Sequence, residues 1–344
     1  MKYQILGKTG LRVSEISLGT MTFGKSWDEF NGTSKNTAKK IFDYYVDVGG
    51  NFFDTADIYQ NGESEKYLGE FVNSDRESFV ISSKYSTLTN PKNPNSGGNH
   101  RKNLFSSVES SLKRLNTTYL DLLWVHAWDF TTPISEVMRS LDDLVKQGKV
   151  HHIGISNAPA WIIALANSLS ESKGWTSFSC IQILYNLLER SSERELLPFA
   201  SYENLGVLAW SPLSGGMLSG KYSAKSTNGR FSKNNPMKKS FLNKTNLKLS
   251  ETISKLAADY GYSSAQISLK WLLECKNPSI IPILGATNLM QLKENLECLN
   301  IKLNEKQLQK IDQITAIDLG YPQEFLNHPH IQERIFGSDF NYDF

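Results

Sequence analysis

The chain has 344 residues, 40% of them hydrophobic and 21% charged, which is the composition of an ordinary globular protein. Its net charge of +2 excludes the strongly basic character that marks partners of nucleic acid or anionic membrane. MKYQILGKTG lacks the apolar stretch of a leader peptide, and no run reaches the roughly eighteen apolar residues of a membrane span.

The elements alternate along the chain. YQILGKTGLRVS reads as a hairpin about a Gly-centred turn, suited to closing the floor of a barrel. LRVSEISLGT supplies a first strand, amphipathic NTAKKIFDYYVDVG a helix, and NFFDTA a second strand. ESEKYLGEFV (helix), SFVISSKY (strand), HRKNLFSSVESSLKRL (helix) and YLDLLWVHAW (strand) follow. Then come PISEVMRSLDDLVKQGK, VHHIGISN, APAWIIALANSLSESKG, FSCIQILYN, SERELLPFASYENL and GVLAWSPL, again helix and strand in turn. Residues from Gly220 to about Lys248 interrupt the pattern with a long, polar, basic loop. LKLSETISKLAADYG and SSAQISLKWLLECK are helices that lead to the strand SIIPILGAT, the helix NLMQLKENLECL, a last helix NEKQLQKIDQI and a tail from Asp318. The strands are near-continuous apolar runs, as in parallel sheets buried on both faces. Eight strands, each followed by a helix, predict a closed (β/α)8 TIM barrel. With no linker in sight, residues 1–344 are expected to form a single domain.

Cys180, Cys275 and Cys298 are odd in number and lie in apolar or helical contexts, so they are expected to be reduced core residues of a cytoplasmic protein. His151-His152 and His328-x-His330 have no carboxylate or Cys cluster beside them, so no metal site is expected. The absence of G-x-G-x-x-G leaves a Rossmann cofactor site unsupported.

Three successive apolar runs, NFFDTADIY, FVISSKY and LLWVHAW, each end in ionisable residues. Parallel barrels carry their chemistry at those C-terminal strand ends. A tyrosine, with a pKa of about 10, donates a proton only if the phenolate left behind is stabilised. A nearby Lys⁺ does this, and a carboxylate holds the Lys charged. Asp54, Tyr59 and Lys84 supply that trio, and His126, one strand further, can donate a hydrogen bond to a substrate oxygen. Singly, Asp54 would pass for a helix cap, Lys84 for its salt-bridge partner and His126 for a core histidine. At matching strand ends, the four together point to proton donation.

These motifs identify the family. LGTMTFG, DTADIYQNGESEKYLG, SSKY, WVHAWD, GISN, QILYN, WSPLSGG and LGATNLMQLKEN, spread over essentially the whole chain, resemble an aldo-keto reductase. Within that family the chain is most similar to microbial aryl-alcohol-dehydrogenase-like reductases and, less so, to potassium-channel β-subunits. The resemblance implies that Asp54, Tyr59, Lys84 and His126 form the catalytic tetrad, and that a nicotinamide cofactor, NADPH with NADH possible, reduces an aldehyde or ketone. It further implies that Gly19, Thr20, Met21 and Asp54 border the cofactor, that Ser156, Asn157 and Gln182 bond its carboxamide, and that Trp210 stacks on the nicotinamide ring. Ser211, Leu213 and Gly216 would meet the pyrophosphate, with Lys221 and Arg230 folding over it. Gly285, Thr287, Gln291, Glu294 and Asn295 fall at the adenosine end, where Gly285 and Gln291 replace the family's usual Lys and Arg. Trp27, Trp128 and Phe130, beside Tyr59 and His126, would line a pocket for a small-molecule carbonyl, with Met21 and the tail residues Phe325 and His328 as further candidates. No nucleic-acid or membrane partner is expected, and the chain is expected to be a monomer or weak homo-oligomer. Two other readings stand beside the reductase: a cofactor-binding regulatory subunit with little turnover, and a Schiff-base aldolase using Lys84.

Overall fold

In a computed structural model, which describes residues 1–27, 32–220, 222 and 241–337, the expected barrel is the observed architecture. A hairpin, β1 (Tyr3–Ile5) and β2 (Arg12–Ser14), precedes eight parallel strands. These are β3 (Ser17–Gly19), β4 (Phe52–Asp54), β5 (Val80–Tyr85), β6 (Leu120–Val125), β7 (Val150–Ser156), β8 (Cys180–Leu184), β9 (Gly206–Trp210) and β10 (Ile280–Leu284). They close in the order β10-β3-β4-β5-β6-β7-β8-β9.

Alternation along each strand divides the core in two. Phe52, Val80, Leu122, Trp124, Cys180, Leu208, Ile281 and Ile283 fill the lumen, while their neighbours, such as Phe53, Ile81, Leu123, Ile153, Ile181 and Val207, face the helices. Both faces are therefore apolar, which is why these strands read as continuous hydrophobic runs. Leu6 and Val13 of the hairpin join the lumen cluster and plug the floor. The approach there is close: a Cβ on Gly7, at φ +52°, would lie 2.2 Å from the amide nitrogen of Gly206. Further up the lumen, a Cβ on Gly154 would sit 2.4 Å from the Trp124 ring, so the glycine makes room for the indole.

The surrounding helices are α1 (Lys35–Asp47), α2 (Glu63–Val72), α3 (Arg101–Leu115), α4 (Ile134–Lys146), α5 (Ala160–Lys173), α6 (Leu196–Tyr202), α7 (Lys244–Asp259), α8 (Ser264–Glu274), α9 (Leu289–Leu296) and α10 (Glu305–Thr315). In α1 the pattern is plain: Ser34 caps the amide of Thr37, and Ala38, Ile41, Phe42 and Tyr45 form the buried stripe. Two short helices, α11 (Gln323–Leu326) and α12 (Pro329–Phe336), lie in the tail, and neither has a buried residue.

Three expectations shift. LRVSEISLGT is two strands, because the Ser14 hydroxyl bonds the Ile16 carbonyl and turns the chain from hairpin to barrel. SERELLPFASYENL is a short turn, Ser191–Glu193, followed by α6, with Glu195 at φ −142° breaking the run. The loop predicted to reach Lys248 ends earlier, since Asn243 caps α7 through the amide of Asn246. Lys221 and Arg230 lie outside the described residues. No described helix is long and apolar enough to cross a membrane.

Candidate active site

Strand alternation decides what faces the lumen at the C-terminal rim. Counting by twos from the lumen cluster places Asp54, Ser82, Lys84, Ser156, Gln182 and Trp210 on inward positions, and His126 on the next one past β6. Register then lines them up: Gly19 pairs with Asp54, Asp54 with Ser82, and Ser156 with Gln182.

Lys84 is the centre of the group and is fully buried. Its Nζ donates to Asp54 Oδ2 at 2.5 Å, to the Thr55 carbonyl at 2.7 Å and to Tyr59 Oη at 3.2 Å. Asp54 Oδ1 accepts from Ser82 Oγ and from Gln182 Nε2, each at 2.9 Å. Burial by itself would pull the Lys84 ammonium down, but Asp54 and then Tyr59 outweigh it and raise its pKa above the usual value. The lysine is charged. His126 faces Tyr59 edge-on, ring centres 6.0 Å apart. Burial, and then the Lys84 charge, push its pKa down to about 3, so the imidazole is neutral. The structure thus brings the four expected residues together, with an ammonium aimed at a phenol.

Trp27 packs edge-on to Tyr59 at 6.2 Å, and its backbone and indole N–H groups donate to the side chains of Gln60 and Asn61. Both of those residues have positive φ, +51° and +54°. Sequence reasoning missed these two supports, and it missed Ser82. The serine was open to detection, two residues before Lys84 on the same face of β5; the left-handed turn carries no such signal.

The remaining candidates fall into three places. At the β3 end, Thr20 is buried, donates through its amide and hydroxyl to the Asp54 carbonyl, and meets Ser64 Oγ at 2.8 Å. It therefore braces Asp54, while the Met21 carbonyl accepts from Gln60. At the β7 and β9 ends, Asn157 Nδ2 donates to the His126 carbonyl and to Ser156 Oγ. Ser211 and Gly216 stand at φ +54° and +96° on either side of Leu213 in a tight turn. Past β10, Thr287 bonds Gln291 through both its amide and its hydroxyl, Glu294 is exposed and Asn295 is buried. None of Gly285, Thr287, Gln291, Glu294 and Asn295 is a cation. Trp128 is buried in the cluster between barrel and helices, while Phe130 is exposed.

His126 Nδ1 and Trp210 Nε1 at the rim, with Trp124 Nε1 below them in the lumen, are among the buried polar atoms without a protein partner, as is Asn295 Nδ2 on α9. Buried polar groups are normally bonded, so the two rim atoms, His126 Nδ1 and Trp210 Nε1, are open to a polar ligand. Among the described residues no three metal-ligating side chains converge. All three cysteines are free, and burial lifts each thiol to about 12.

Comparison with known proteins agrees with this geometry. Residues 15–316 match the model of the aldo/keto reductase family. The chain is 36% identical to norsolorinic acid reductase of Aspergillus flavus, over 92% of this chain and 81% of that protein. It is 36% identical to an aryl-alcohol dehydrogenase of Pestalotiopsis microspora, over 92% and 82% of the two chains. An aldo-keto reductase of Emericella nidulans is 34% identical over 94% of this chain and 84% of its own length. The chain belongs to the aldo/keto reductase family and is an NAD(P)H-dependent oxidoreductase.

Proposed function

We propose that this protein is one barrel domain, residues 1–344, that reduces aldehydes or ketones to alcohols with NADPH, using Tyr59 as the general acid. The observation that carries the reading is the fully buried Lys84 ammonium, held between the Asp54 carboxylate and the Tyr59 hydroxyl. In such surroundings a fixed positive charge stabilises a developing phenolate far more than it would in water.

The bound nicotinamide would supply the hydride to the carbonyl carbon. Tyr59 Oη donates its proton to the carbonyl oxygen, and Lys84 then bears on the phenolate. Asp54, saturated by Lys84, Ser82 and Gln182, keeps the ammonium charged and in place. Neutral His126 offers a ring N–H to the same carbonyl oxygen and orients it. For the cofactor, Ser156, Asn157 and the free amide oxygen of Gln182 suit a carboxamide, and Trp210 suits the ring face. Ser211, Leu213 and Gly216 suit the pyrophosphate, and Gly285, Thr287, Gln291, Glu294 and Asn295 the adenosine end. With no cation among those last five, the preference for NADPH over NADH is expected to be modest. Trp27 beside Tyr59, together with relatives named for aryl alcohols, supports an aromatic carbonyl substrate.

The same geometry disfavours a Schiff-base aldolase, because Lys84 is charged and amine attack needs the neutral form. The test is NADPH and NADH oxidation across aromatic, aliphatic and quinone-like carbonyls, with Tyr59→Phe as control. Positioned proton donation contributes roughly 10²–10⁴-fold, so that variant should lose about this much kcat while binding NADPH normally. Full activity in Tyr59→Phe would remove the assignment. NADPH binding without turnover in the wild-type chain would favour the regulatory role instead.

A further inference from the structure

The strand that carries Lys84 departs from its own pattern one residue earlier. Ile81, Ser83 and Tyr85 of β5 alternate toward the helices, and Ser83, paired with Leu123 across the ladder, is a fully buried hydroxyl in an apolar layer. Its Oγ donates to Glu65 Oε1 at 2.6 Å. Glu65, near the start of α2, is itself fully buried, and its Oε2 accepts from Arg114 Nε of α3 at 2.6 Å. A buried ion pair often stabilises a fold no better than apolar side chains of the same volume. Packing therefore gives no reason for this one to stand among hydrophobic residues.

The residue before it supplies a reason. Ser64 Oγ, also fully buried, donates to the Thr20 carbonyl at 2.7 Å and lies 3.0 Å from Thr55 Oγ1. Thr55 provides the carbonyl that accepts Lys84 Nζ at 2.7 Å, and its amide donates to the Ser82 carbonyl at 2.9 Å. The first turn of α2 thus grips two segments at once. Through Glu65 it holds the strand from which Lys84 springs, and through Ser64 it holds the segment that receives the ammonium. Between them, Lys84 Nζ is set 3.2 Å from Tyr59 Oη.

The geometry points to Ser64 and Glu65 as a two-residue clamp that positions Lys84 against Tyr59, Glu65 acting through Ser83 and Ser64 through Thr55. Each works through another residue, so both are positioning residues, and the inference rests on the reductase reading of the tetrad. Reactive groups have to be held within about 0.5 Å of the productive geometry, and a misplacement of about 1 Å can lower a rate by about 10²-fold. A flexible lysine stem does not meet that tolerance unaided; strand and acceptor must both be fixed.

Ser83→Ala and Ser64→Ala each remove one hydroxyl from one arm of the clamp and leave Lys84, Asp54 and the Glu65–Arg114 pair unaltered. Each variant should lower kcat for benzaldehyde by at least about tenfold while KM for NADPH stays within about twofold. A cation beside a phenol favours its ionisation, so backing the ammonium off by about 1 Å should move the alkaline limb of the kcat–pH profile up by about one pH unit. A loss of stability alone would not move that limb. Urea midpoints check that both variants fold, and if one does not, the other carries the test. Wild-type kcat with an unmoved limb in a folded variant overturns the clamp. If the wild-type chain reduces no carbonyl, the reductase reading fails separately, and crystal structures of the variants decide the clamp. Lys84 Nζ farther from Tyr59 Oη by about 0.5 Å or more supports it, and an unchanged distance overturns it.

Discussion

Asp54 and Gln182 meet across the barrel, Nε2 of the glutamine donating to Oδ1 of the aspartate at 2.9 Å. Their strands, β4 and β8, lie four places apart in a ring of eight, so the bond spans opposite walls of the lumen. Together with Ser82 it fills the carboxylate oxygen that Lys84 leaves open. A buried carboxylate held by three such bonds, two on Oδ1 and one on Oδ2, is fixed in its orientation.

Gln182→Glu would set a second carboxylate against Asp54. Two such groups in contact cannot both ionise easily, so one would take a proton and the grip on Lys84 would loosen. The expected outcome is a fall in kcat/KM of at least about tenfold, with a changed pH–rate profile. A variant with the wild-type profile would mean that the cross-barrel bond does not matter to the site.

Asp57 is a second buried acid, two residues before Tyr59, with no well-formed hydrogen bond to either carboxylate oxygen and only weak polar support from Ser107 and the Ile58 amide. Burial, and then the nearby Glu65, raise its pKa from 3.8 to about 7, against the opposing pull of Arg114. The unfolded chain therefore gives up this proton near pH 4 while the folded chain keeps it to about pH 7. The stabilising contribution is fully present below the unfolded value and is lost as pH rises through the folded one. Asp57→Asn does not titrate, so its stability relative to wild type should improve by at least about 1 kcal/mol between pH 4 and pH 8. Urea midpoints at the two pH values measure this; a constant difference would refute it.

Gly154→Ala puts a methyl group 2.4 Å from the Trp124 ring, in a lumen with no slack. Overpacking of this kind costs about 1–3 kcal/mol. Urea unfolding should show that loss, and Trp124→Leu in the same chain should recover part of it by vacating the space.

Phe130→Gly relieves left-handed strain of about 1–3 kcal/mol, less up to about 1 kcal/mol for the freedom that glycine adds to the unfolded chain. A net gain near 1 kcal/mol is expected, read as a higher urea midpoint at unchanged slope. A less stable variant would show that residue 130 stores no strain.

Much of this protein was readable from the chain alone. Apolar runs alternating with amphipathic helices identified the barrel because both faces of every strand are buried, and the ionisable residues at the ends of FVISSKY and LLWVHAW marked its working rim. Period-two projection along one strand is a local rule, so it places Ser82 and Lys84 on one face without any knowledge of the fold. The Gln60–Asn61 turn that carries Trp27 and the strained Phe130 were beyond such rules, since bonds to distant segments, from Trp27 and to Met21 in one case and with Asn99 in the other, help to hold that left-handed backbone. The same holds for the bond between Asp54 and Gln182. Which residues are reactive followed from their types and their place at strand ends; which of them touch followed from barrel closure, because only the ring of strands brings residues 128 apart within 2.9 Å.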